Sequence, residues 1–152
     1  MQLPSVFEQA ACQTLLQRVG QLSASTQPTW GKMDVAQMLA HCNIAYELIF
    51  EDKHPRPGRF KMFLLRTLLK PIVTNTKPYK INSPTSPIFK VVSAKQFEQE
   101  KQKLIAYIEQ VQQMGTAAFE GKAAHSFGPL TALEWNNMMY KHLDHHLRQF
   151  GV

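Results

Sequence analysis

The segment from Thr131 to Gly151 limits the folds open to this chain more than any other. Thr131 is followed three residues later by Glu134, the reciprocal capping pattern that opens a helix, and Gly151 marks its end. Trp135 and Met139 share one arc of that helix, continuous with Ala132, Leu143 and Phe150. A face of this kind must be buried against other elements. The same arc carries His142 and His146. At helical spacing these two stand about 40° apart, so their rings can converge on one ion. His145 falls at the opposite edge of the arc, beside Glu134, Lys141 and Arg148, and is expected at the polar rim.

Three more helices follow from periodicity. The first spans about Ser5 to Leu22, with Phe7, Ala11, Leu15 and Leu22 on one face. The second opens at Asp34, capped by Gln37, and reaches Phe50. The third opens at Ser93 with Gln96 in the capping position, lines up Phe97, Leu104, Ile108 and Val111, and closes at Gly115. Between the second and third, His54-Pro-Arg-Pro-Gly58 reads as a turn. Phe60–Leu69 reads as a short helix ending before Pro71, and 77–87 as a Pro- and Ser-rich loop. Residues 88–92 could extend briefly, though no strand is required. Gly115 to Pro129 forms a second loop. The expected fold is all-α: one domain over residues 1–152, an antiparallel four-helix bundle with an elaborated crossover between helices 2 and 3.

Two histidines on an apolar face are costly unless their nitrogens are satisfied, and a metal ion satisfies them. The alternative is a pair of core-edge histidines hydrogen-bonded to neighbours. His41 weighs toward metal, because it lies in the apolar arc of the second helix with Met38, Ile44, Ala45, Leu48 and Ile49. Two facing helices could therefore supply His41, His142 and His146 as ligands. Three neutral imidazoles leave a coordination position open, and they suit zinc, nickel, copper or iron. His54 reads as a surface residue. His125, in the loop before the last helix, is a candidate for a group behind the ligands or facing substrate; the alternative is a loop histidine capping a turn.

Cys12 and Cys42 sit in apolar helical surroundings and read as buried free thiols. No run approaches the ~18 apolar residues a membrane-spanning helix needs. The first residues lack the basic and apolar regions of a secretory signal, so the cytoplasm is the expected location. The net charge is +6, and eight of the 17 Lys and Arg residues lie between Lys53 and Lys80, a stretch without Asp or Glu. That stretch is either a solvated face or a surface for an anionic ligand. It lacks the basic–aromatic interleaving that would make nucleic acid the first choice.

Three segments carry a resemblance: Trp30-Gly-Lys-Met-Asp-Val-Ala-Gln-Met-Leu-Ala-His41-Cys, His125-Ser-Phe-Gly-Pro-Leu-Thr-Ala-Leu-Glu-Trp135 and His142-Leu-Asp-His-His146-Leu-Arg-Gln149. With these the chain resembles the DinB/YfiT-like superfamily of metal-binding four-helix bundles, and within it a subgroup of unassigned function. The resemblance implies a bundle over nearly the whole chain. It also implies a divalent ion, often nickel or zinc, on His41, His142 and His146, with water completing the shell. Some relatives are thiol-dependent transferases.

Two functions compete. One is a metal-dependent transferase or hydrolase acting on a small molecule, with His125 as acid, base or substrate anchor. In this reading the 53–80 region neutralises an anionic group. The other is a non-catalytic binding module whose metal stabilises the bundle. A homodimer is compatible with either.

Overall fold

A computed structural model describes residues 2–152, and the chain is mostly helical. Four long helices contribute to one hydrophobic core: α1 (Gln9–Gln21), α2 (Val35–Phe50), α5 (Phe97–Met114) and α6 (Ala132–Gln149). Leu15 and Val19 of α1, Met38 and Leu39 of α2, Leu104 and Val111 of α5, and Leu143 and Leu147 of α6 are fully buried together. Between α2 and α5 lie α3 (Arg59–Leu64), α4 (Lys70–Thr74) and a single 3-10 turn at Pro87–Phe89. Between α5 and α6, a 3-10 turn at Thr116–Phe119 leads to a minimal antiparallel hairpin. Its strands are β1 (Ala123–Ala124) and β2 (Gly128–Pro129). Among the described residues, no helix is long and apolar enough to cross a membrane.

The two capping boxes expected at Asp34–Gln37 and Thr131–Glu134 are both formed. Each satisfies backbone donors that a helix start would otherwise leave free. The one expected at Ser93 is not: α5 starts at Phe97, and Gln96 flanks it without a side-chain cap. Glu98 and Glu100 in the first turn supply the negative charge that its N-terminus favours instead. Gly115 ends α5 at φ +70°, a backbone conformation that glycine adopts without strain.

Two further expectations fail in the crossover. The helix that should stop before Pro71 continues to Thr74, through a wider π turn at Leu65–Leu69. Pro71 falls in the first turn of α4, where its missing N–H costs little. Residues 88–92 do not extend as one run, because the 3-10 turn takes up Ile88 and Phe89.

The crossover is fastened to α6 by polar groups. Lys141, expected at the rim, is only 4% exposed. Its ammonium donates to the carbonyls of Ile72 (2.7 Å) and Asn75 (2.8 Å), the free acceptors at the end of α4. The Asn137 amide donates to the Thr74 carbonyl at 2.9 Å, and Lys70 pairs with Glu134 at 2.9 Å. These contacts lay the crossover alongside the histidine-bearing helix.

Candidate metal centre

The apolar arcs of α2 and α6 bring His41, His142 and His146 together. One ring nitrogen from each lies within 4.8 Å of the others. The ring centroids are 4.4 Å apart for His41–His146, 5.0 Å for His41–His142 and 4.9 Å for His142–His146. His41 and His146 are buried, and His142 is half-buried.

The surroundings fix which nitrogen of each outer ring is free. His41 Nδ1–H donates to the Phe89 carbonyl at 2.8 Å, leaving a lone pair on Nε2. His146 Nδ1–H donates to Gln149 Oε1 at 2.8 Å, with the same result. Gln149 is itself held, since its Nε2 donates to the Trp30 carbonyl at 2.8 Å. His41 Nε2 also faces His142 Nε2 at 3.0 Å. Two imidazole nitrogens this close share a proton or direct their lone pairs at a common cation. Burial pushes the pKa of all three rings below the ordinary histidine value, and that of His146 falls to about 3. The neutral, metal-ligating form is therefore the one present at neutral pH. Tautomers fixed by outer hydrogen bonds and uncharged rings are what a divalent ion requires.

The cluster lies in the wall of a cavity of about 780 Å³. Leu48 and Ile49 of α2, Leu65 and Leu69 of the crossover, and Met138 and Met139 of α6 make much of its surface apolar. Sequence periodicity placed His41 on a face with Ala45, Leu48 and Ile49. Ala45 and Leu48 of that face border the cavity, and Ile49 both lines it and packs against the core. None of the eight basic residues of 53–80 lines the cavity. Lys53 pairs instead with Glu47 (2.7 Å) and Glu51 (2.9 Å). The expectation that this stretch neutralises an anionic substrate at the site thus finds no counterpart in the fold.

His125 lines the same cavity. Its Nε2–H donates to the His54 carbonyl at 3.2 Å, and its Nδ1 accepts from the Ser126 hydroxyl at 2.9 Å. His54 is not a free surface residue, because its Nε2 meets Glu47 Oε2 at 2.8 Å. His145 stays outside the convergent set. It packs against Tyr79 (5.7 Å) and Trp30 (6.0 Å). Cys12 and Cys42 are free and buried as expected, and burial pushes both thiols away from the thiolate.

Phe89 escaped the sequence reading as part of the site, and Trp30 and Gly31 stood in a resembling segment without a role. Phe89 and Trp30 act through backbone carbonyls, which every residue possesses. Gly31 carried a faint signal as a glycine three residues before the Asp34 helix cap. Its φ is +86°, and a Cβ there would lie 2.5 Å from Gln149 Nε2. Gly31→Ala is therefore expected to destabilise the protein by roughly 1–3 kcal/mol, through backbone strain and displacement of Gln149. Denaturant unfolding measures that cost; an unchanged midpoint would mean that Gln149 relocates freely.

A mostly helical chain with three convergent histidines at a cavity wall belongs to the class of potential metal-binding helical proteins. A family model described as "protein of unknown function (DUF1569)" matches residues 5–151, and the chain belongs to that family. No curated protein and no solved structure matches it.

Proposed function

We propose that the protein binds one divalent metal ion, zinc or nickel, through His41, His142 and His146. In this reading the open side of the ion faces the apolar cavity. The observation that carries it is the convergence of three neutral imidazoles, those of His41 and His146 with their tautomers fixed from outside, at the wall of a cavity large enough for a small molecule. An ion so held would supply Lewis acidity toward an oxygen or sulfur donor of a substrate. The chain's own residues would do the rest. Leu48, Leu65, Leu69 and Met139 would exclude water and seat an apolar group, and His125 would present a positioned imidazole to the substrate. The activity that fits is a metal-dependent transferase, thiol-dependent or not, or a hydrolase acting on a largely apolar small molecule. Membership of a DinB-like four-helix bundle is part of the same proposal. It is supported by the shared core of α1, α2, α5 and α6 and by this chain's cluster of His41, His142 and His146.

Elemental analysis of protein purified without an affinity tag tests this reading. The expected result is about one zinc or nickel per chain. Absence of metal, with no binding on addition of either ion, would overturn it. A fourth protein ligand closing the shell would turn the reading to a structural metal.

A further inference from the structure

The crossover helix α3 and the π turn after it have two apolar faces. The inner one, through Leu65 and Leu69, lines the cavity. The outer one is bare: Phe60 is 77% exposed, Phe63 61% and Leu68 66%, with Leu64 beside them. Single exposed apolar residues are ordinary, but two phenylalanines and two leucines within nine positions on one side of a helix form a patch. Arg56, Arg59 and Lys61 lie on or just before this helix, and none has an ion-pair partner among the described residues; Arg66, in the turn, rests its guanidinium against Gly128.

We propose that the outer face of α3 and the following turn docks on an anionic lipid surface, with Phe60, Phe63, Leu64 and Leu68 entering the acyl boundary and the unpaired Arg and Lys residues meeting headgroup phosphates. The charge pattern selects this occupant. A second copy of the chain, docking patch to patch, would set these positive charges against their equivalents. Nucleic acid would match the charge but would leave the aliphatic Leu64 and Leu68 without bases to stack on. An apolar face bordered by Lys and Arg suits the interface of an anionic bilayer. The proposal does not depend on the metal site. It adds that the element facing the lipid also walls the cavity, so an apolar ligand dissolved in the bilayer would lie one helix away from it.

Flotation of the full chain with vesicles tests it, comparing phosphatidylcholine alone with phosphatidylcholine containing phosphatidylglycerol. The protein should float with the anionic vesicles only, and less as salt is raised. Phe60→Ser with Phe63→Ser, and separately Arg59→Glu with Lys61→Glu, should each lower the partition coefficient about tenfold or more. All four positions are exposed, so circular dichroism and melting should match the parent. Failure to float, or flotation unchanged in both double variants, would overturn the proposal. So would concentration-dependent dimers in sedimentation that the Phe60/Phe63 variant abolishes, or oligonucleotide binding by this face without vesicle binding.

Discussion

Zinc or nickel added to the metal-free protein is expected to raise its melting temperature, and His146→Ala to erase that rise. An ion that binds only the folded state stabilises it by about 2.7 kcal/mol at a hundredfold excess over Kd. His146 is the sharpest position to test, because its free nitrogen is fixed from outside by Gln149 and burial holds the ring neutral. Its removal deletes one of three donors, and two imidazoles on a helical scaffold hold such ions far more weakly. His145→Ala is the matched control. Its ring centroid is only 5.1 Å from that of His146, yet it is not one of the convergent groups. The metal-induced shift should survive intact in that variant. The readout is the difference between melting curves with and without metal, so a general change in stability at position 146 does not affect the comparison. Equal loss in both variants, or no metal effect in the parent, would refute the ligand set.

The convergence of His142 and His146 was legible because helical spacing alone puts them on one side of α6, and the Thr131–Glu134 cap fixed the helix that carries them. His41 was legible by the same logic on α2. What surrounds them was not. Leu48 and Ile49 have the same periodicity whether they face close-packed core or a cavity, since both environments take the same apolar residues. The path of the crossover depends on Lys141, whose long stem and charge read as a rim residue until the carbonyls ending α4 are placed beside it. Pro71 misled for a related reason. A proline stops a helix in its interior but is tolerated where a new helical segment begins, and a π turn is a local change of winding that periodicity does not reveal.

Glu47→Gln is expected to cost roughly 3 kcal/mol at neutral pH, with the cost shrinking as pH falls from about 4.5 towards 2. Glu47 sits on α2 with its side chain only 9% exposed, where burial alone would raise its pKa. Hydrogen bonds from Lys103 (2.5 Å), Lys53 and His54 outweigh that burial and hold the carboxyl down at about 2. A carboxyl with a depressed folded pKa stabilises fully above its unfolded pKa. That stability is lost as pH falls through the folded value, because the unfolded chain takes up the proton first. The buried histidines also destabilise the fold in acid, since their depressed pKa values make the unfolded chain bind protons from about pH 6.5 downward. Subtracting the variant's stability from the parent's at each pH isolates Glu47, because the histidines contribute equally to both. Urea unfolding across that range measures the difference. A constant difference from pH 7 to pH 2 would show that the cost is one of packing rather than charge. The carboxylate also reaches the candidate site: Glu47 holds His54, and the His54 carbonyl holds His125. Loss of Glu47 should therefore loosen His125 while leaving metal affinity unchanged, since His41 is anchored independently through Phe89.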